Sequence, residues 1–210
     1  MSPLPSRGLY AITDGPRNDL FIVAEQALRG GAQWLQYRDK THDLIRRQSE
    51  ASALCQLCHQ HGAKFIVNDD IALACTISAD GVHLGKDDQS IDAARTNLGE
   101  GAIIGVSCYD SMNRARAAKA AGADYIAFGA FFPSPTKPQA ARAIPALLRE
   151  SAQLGLPRVA VGGITEDNAP QLVAAGADWL AVISALFQAS NVYATAQHFA
   201  QLYANQREHP

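Results

Sequence analysis

The sequence predicts an α/β protein built as a (β/α)8 barrel with a parallel eight-stranded core. Three observations predict it. Short apolar runs alternate with helical stretches along the whole chain, as in successive βαβ units. The runs are continuously apolar rather than alternating, which fits a parallel sheet buried on both faces. One helix-to-strand corner recurs: Gly31-Ala32-Gln33-Trp34-Leu35, Gly122-Ala123-Asp124-Tyr125-Ile126 and Gly176-Ala177-Asp178-Trp179-Leu180. In each copy a glycine ends a helix in the left-handed conformation, a polar turn follows, and a strand begins. An open doubly wound sheet would use similar corners, so the repeat by itself does not prove closure.

The elements follow in order. Residues 8–14 read as the first strand, and a helix through Ala24 and Leu28 stops at Gly30-Gly31. Residues 34–38 form the second strand, followed by a helix over roughly 43–61. The third strand is 64–68, with a short helix through Leu73 after it, and the fourth is 81–84. Strands five to eight fall at 103–107, 125–129, 158–162 and 179–183, and a helix over about 193–203 closes the chain. No linker or charge block divides these units, so one domain is expected over 1–210, with 1–7 as an N-terminal extension and 204–210 as a C-terminal tail. The 210 residues are close to the lower end for this architecture, about 200.

Composition narrows the function. The hydrophobic fraction of 48% allows a large core, and the formal net charge of −2 offers no global attraction for nucleic acid or acidic membranes. No apolar run approaches the roughly 20 residues of a membrane helix, and residues 1–7 lack the blocks of a signal peptide. A cytoplasmic protein acting on small molecules is expected, with no nucleic-acid or membrane partner; a homo-oligomer stays open. Cys55-Gln56-Leu57-Cys58-His59 matches a haem-attachment pattern, and His61 nearby suggests zinc. Neither fits a cytosolic chain without a closed ligand set. Leu54, Leu57 and Cys58 instead sit at core spacing on a helix that Gly62 ends.

The active site of such a barrel lies at the carboxyl ends of its strands. After strand two, Gln36, Arg38 and Lys40 point one way because side chains of an extended segment alternate. They suit phosphate oxygens, although a solvated strand end would look the same. Asp69, after strand three, and Asp88, after strand four, can approach one another across neighbouring strands. Two carboxylates completed by diphosphate oxygens and waters make a magnesium site. Helix N-capping is the alternative for either, and Asp70 and Asp87 are expected to be caps or bystanders. After strand six, the proline-stiffened segment Phe131 to Pro138 carries hydroxyls and Lys137, and 134–141 is a candidate lid. Gly162-Gly163 after strand seven and Ser184 after strand eight fit the recurrent phosphate cradle of these barrels, where glycines let backbone N–H groups reach the anion.

Taken together, these segments resemble the thiamine-phosphate synthase family. The matching pieces are Leu9 to Asp14, Gln36-x-Arg38-x-Lys40, Asn68-Asp69, Gly81-Val82-His83-Leu84-Gly85-x-x-Asp88, Gly105-x-Ser107, Gly122-Ala123-Asp124-Tyr125, Thr136-Lys137, Gly162-Gly163-Ile164 and Val182-Ile183-Ser184-Ala185, in the family's order over nearly the whole chain. The resemblance implies a magnesium-dependent transferase that joins a hydroxymethylpyrimidine diphosphate to a thiazole phosphate, releasing diphosphate. It implies that Gln36, Arg38, Lys40, Asn68, Ser107 and Lys137 hold the pyrimidine diphosphate. Ser134, Pro135, Thr136, Gly163, Ile183 and Ser184 would hold the thiazole phosphate, and Asp69 and Asp88 the magnesium. Arg38, Lys40 and Lys137 would act catalytically on the departing diphosphate, with no general base required, so His83 is expected to be structural. Lys86, Ser134 and Asp70 depart from residues frequent in the family; Ser134 keeps the hydroxyl of the usual threonine. A thiazole-phosphate isomerase or regulatory homologue of the same fold is the rival reading. It would not need the diphosphate clamp.

Overall fold

The computed structural model describes residues 7–86, 88, 90–133 and 142–204. Its sheet is a closed barrel, β1 to β8 in sequence order, every neighbouring pair parallel, with β8 returning to β1. The strands are β1 (Gly8–Ile12), β2 (Ala32–Tyr37), β3 (Lys64–Asn68), β4 (Gly81–Leu84), β5 (Ile103–Tyr109), β6 (Tyr125–Phe128), β7 (Arg158–Val161) and β8 (Trp179–Val182). Helices α1 (Leu20–Arg29), α2 (Leu44–Gln60), α3 (Ile71–Thr76), α4 (Ile91–Leu98), α5 (Met112–Ala120), α6 (Pro145–Glu150), α7 (Ala169–Ala174), α8 (Ser184–Phe187) and α9 (Val192–Ala204) connect and cover them. All eight expected strands form, with ends shifted by a residue or two. Ala204, expected in the tail, is the last residue of α9. No helix among the described residues is long and apolar enough to cross a membrane.

The recurrent corner has a physical cause beyond its glycine. Gly31, Gly122 and Gly176 all have positive φ, 106°, 87° and 97°. In the second and third copies the aspartate that follows ties the corner to the preceding strand: Asp124 accepts the Ile104 N–H at 2.7 Å and Asp178 the Arg158 N–H at 2.9 Å. Asp80, ahead of β4, accepts the Phe65 N–H at 2.9 Å in the same way. Each carboxylate thereby satisfies a backbone donor at a strand entrance, a group that costs free energy when buried unpaired.

Strand residues alternate between two cores. One set packs against the helices, where Leu54, Cys55 and Cys58 of α2 are buried and Leu57 partly so. The other fills the barrel with large rings: Trp34 stacks on Trp179 at 4.3 Å, and Tyr10 and Tyr125 meet Trp34 edge-on at 5.3 and 5.2 Å. Small residues make room for them. Gly105 pairs with Tyr125 across the β5–β6 ladder, and a Cβ there would land inside the tyrosine ring. Gly105→Ala is expected to cost about 1–3 kcal/mol by overpacking, read as a lower Tm with the fold retained. These rings close the barrel's lower end, leaving the volume above them for a ligand.

Candidate active site

The upper end of the barrel holds a cavity of about 640 Å³. Its walls come from the ends of most strands: Tyr10 and Ile12, Gln36 and Arg38, Asn68, His83, Ser107 and Tyr109, Ala127, Gly129 and Ala130, Val161 to Thr165, and Ile183 to Ala185. A second recess of about 470 Å³ adjoins it, lined by Asp39, Lys40, Asn68, Asp69, Asp70 and Asp88 among others. Asn68 belongs to both. An apolar, ring-sized chamber therefore opens beside a charged one.

The segment after β2 divides its side chains between them. Gln36 is 2% exposed and donates from Nε2 to Tyr10 Oη at 2.7 Å inside the barrel. Arg38 lines the cavity, and its N–H donates to Thr13 Oγ1 at 2.8 Å. Lys40 reaches into the recess, with Nζ 3.2 Å from Asp69. The three therefore occupy successive depths along one line. Asp39, at the edge of the recess, is held by other partners. It pairs with Arg46 at 2.7 Å and accepts the Thr41 N–H at 2.8 Å. Burial raises its pKa, but those partners hold it below the usual carboxylate range. Asp39 thus anchors the loop that aims Arg38 and Lys40. Among the described residues no carboxylate pairs with Arg38.

Asp69 and Asp88 come together. Asp69 sits at the end of β3 in the left-handed region, φ 64°, its N–H bonded to His83 O at 2.9 Å. Non-glycine residues adopt that conformation rarely, and such strain clusters at functional sites. Asp88 accepts the Gly85 N–H and shares a hydrogen bond with Asp69; desolvation and then Asp69 raise its carboxyl pKa. Asp70 is the N-cap of α3, as expected, accepting the Leu73 N–H at 2.9 Å while pairing with Arg47. Asp87 lies outside the described residues. Among the described residues no cluster of three or more His, Cys, Asp or Glu side chains could hold a metal.

Gly163, Ile183 and Ser184 meet at one side of the cavity, as the cradle reading expects. Asn168 fixes the turn, accepting the Thr165 N–H at 2.9 Å and donating to Gly163 O at 3.0 Å. Gly163 has φ 65°, and a Cβ there would stand 2.5 Å from Pro133 O and 2.7 Å from Phe132 O. Gly163→Ala therefore strains the backbone and pushes the β6 loop away. A rise of about tenfold in KM for a phosphate ligand at this turn is expected, roughly 1.4 kcal/mol, with a smaller change in kcat. Ser134, Pro135, Thr136 and Lys137, and the candidate lid 134–141, lie outside the described residues. The ends flanking that segment are described: Pro133 lines the cavity, and Ala143 N–H bonds Ala130 O at 3.0 Å.

Sequence reasoning missed the polar wall beneath the cavity. His83, expected to be structural, is hydrogen-bonded on both nitrogens, to Tyr125 Oη and to Ser107 Oγ, each at 2.9 Å, and also lines the cavity. Burial pulls its pKa down to about 4, so the imidazole is neutral at physiological pH. Tyr125 Oη lies 3.0 Å from Tyr10 Oη. The available signal was alternation: Tyr10, Gln36, His83, Ser107 and Tyr125 all fall on inward positions.

A family model described as thiamine monophosphate synthase matches residues 9–186. A thiamine-phosphate synthase of Chromobacterium violaceum is 55% identical over 195 residues, 92% of this chain and 94% of the relative. One of Halorhodospira halophila is 50% identical over 210 residues, 99% of this chain and all of the relative, 100%. Among solved structures, a thiamine phosphate pyrophosphorylase from Pyrococcus furiosus superimposes with a TM-score of 0.85 at 32% identity, covering 96% of this chain and 97% of that one.

Proposed function

The chain belongs to the thiamine monophosphate synthase family, and we propose how its cavity and acidic recess divide the work of that enzyme. It is a thiamine-phosphate synthase, a transferase acting on small molecules in thiamine biosynthesis. The observation that carries the assignment of parts is Asn68, shared by a largely apolar chamber and a charged recess. The chamber would take the two heterocycles and the recess the diphosphate tail.

Asp69 and Asp88 would hold a magnesium ion. They fit it: the two adjoining carboxylates, with Asp88 raised by desolvation and by Asp69, line an open recess where phosphate oxygens and waters would complete an ion's shell. When bound, magnesium would supply charge neutralisation for the leaving diphosphate. Arg38 and Lys40 would bind the diphosphate oxygens from the two sides of Asn68, with Lys137 as a further point charge. Gln36 and Ser107 would orient the pyrimidine. Gly163, Ile183 and Ser184, with Ser134, Pro135 and Thr136, would seat the thiazole phosphate so that its ring nitrogen faces the pyrimidine methylene carbon. As the carbon–oxygen bond to diphosphate breaks, the cations stabilise the growing negative charge, and the thiazole nitrogen captures the carbon. No proton must be removed to form that bond.

The test mixes the purified protein with pyrimidine diphosphate and thiazole phosphate, with and without magnesium, and measures diphosphate and coupled product in equal amounts. Activity unaffected by removal of divalent cations would overturn the metal assignment. Diphosphate release without coupling would overturn the placement of the thiazole.

A further inference from the structure

The polar wall has a direction. Gln36 donates from Nε2 to Tyr10 Oη at 2.7 Å, so Tyr10 turns its own hydrogen elsewhere. The acceptor beside it is Tyr125 Oη at 3.0 Å. Tyr125 then donates onward to His83 Nδ1 at 2.9 Å. An imidazole that accepts at Nδ1 carries its proton on Nε2. That Nε2–H donates to Ser107 Oγ at 2.9 Å, and the serine hydrogen is free to point into the cavity. Burial raises the pKa of both phenols, so each keeps the proton this order needs.

We propose that Tyr125, fully buried behind the cavity wall, is a positioning residue: acting through His83, it makes Ser107 a hydrogen-bond donor at the same time as Tyr10 leaves Gln36 with a free amide oxygen. The two ends of the chain then present one acceptor and one donor to the same cavity. The ligand edge that matches both is a ring nitrogen flanked by an exocyclic amine: the amine donates to Gln36 Oε1 and the ring nitrogen accepts from Ser107. An aminopyrimidine has that edge. The chain thus selects the amino form over a ring that offers a carbonyl and an N–H in the same places, because a reversed ligand meets like against like at both ends. Reversing the order would need five side chains from five strands to turn together, and a half-turned chain leaves buried polar groups unpaired. This inference rests on the reading of Gln36 and Ser107 as the pyrimidine subsite.

The experiment has a spectroscopic arm and a kinetic arm. In protein labelled with ¹⁵N-histidine, the His83 signals are assigned by their loss in His83→Gln. The expected state is the neutral Nε2–H tautomer in the ligand-free wild type; an Nδ1–H tautomer overturns the proposal. Tyr125→Phe removes the donor to Nδ1 and keeps the ring volume. It is expected to mix the two tautomers and to raise KM for the pyrimidine diphosphate about tenfold, the order of effect of an unpaired buried group, with KM for the thiazole phosphate unchanged. A lower Tm with the tautomer and both KM values unchanged marks a purely structural hydroxyl and overturns the proposal. Should Tyr125→Phe not fold, Tyr10→Phe is read instead: the Nε2–H tautomer is retained, because Tyr125 still donates to Nδ1, while KM for the pyrimidine diphosphate rises. Tyr10→Phe without that rise overturns the link to Gln36. The spectroscopic arm needs no turnover, so failure of the synthase reading, seen as wild-type protein that releases no diphosphate, is distinguishable from failure of this one.

Discussion

Lys137→Ala is expected to lower kcat by on the order of 10²-fold, about 2–3 kcal/mol of transition-state stabilisation, with a smaller effect on KM for either substrate. The reasoning is electrostatic. Diphosphate gains charge as its bond to the pyrimidine methylene breaks, so a cation near the breaking bond binds the transition state more tightly than the ground state. Arg38 and Lys40 approach from the β2 side, in the cavity and the recess. Lys137 is the further cation that the family resemblance assigns to the diphosphate, four residues beyond Pro133 in sequence. A third cation would add to the stabilisation that Arg38 and Lys40 supply. Single-turnover rates at saturating substrate check this; wild-type rates in the alanine variant would remove Lys137 from the mechanism. Lys137→Arg should recover part of the loss, because the charge survives while the fork geometry differs.

The fold was legible because a parallel barrel leaves a one-dimensional trace. Its strands are buried on both faces, so Phe65 to Val67 and Ile103 to Ile104 stand out without any alternation to decode. Boundaries were less legible where polar residues enter a strand: β2 begins at Ala32 and includes Gln33, before the apolar run that marks it. The charged part of the site was legible too, since Arg38, Lys40, Asp69 and Asp88 sit at strand ends in the order the family implies. The polar wall was not. Tyr10 and Tyr125 are 115 residues apart and meet only through the stagger of a closed barrel, which no local pattern encodes. For the same reason Asp39 has no role legible in the sequence: its pairing with Arg46 needs the three-dimensional turn into α2. Local chemistry at one strand end can be read from spacing; chemistry shared across the barrel needs the register.

Asp88→Asn is expected to raise the magnesium needed for half-maximal activity about tenfold, and Asp69→Asn with Asp88→Asn together to bring turnover close to that of metal-stripped protein. The expectation follows from the cost of holding the two carboxylates together. Without an ion, desolvation and the Asp69 charge raise the Asp88 pKa, and Lys40 offsets part of the repulsion at 3.2 Å from Asp69. A group whose folded-state pKa is raised contributes stability below its unfolded pKa and loses it as pH rises through the folded value. The pair therefore destabilises the metal-free fold as pH rises above the carboxylate range. A bound ion would reverse the sign: Asp69 and Asp88 would hold it as carboxylates, and Lys40 would then be available to the diphosphate. Three outcomes follow that turnover alone would not reveal. Magnesium should raise the Tm of the wild type at neutral pH and hardly that of Asp88→Asn. Metal-free Asp88→Asn should melt no lower than metal-free wild type, since it removes a repulsion. The magnesium requirement of the wild type should increase as pH falls into the carboxylate range, where protons compete for the pair. Magnesium titrations that are the same for wild type and Asp88→Asn would instead leave Asp88 with only its hydrogen bond to Gly85, a loop cap with no part in binding the ion.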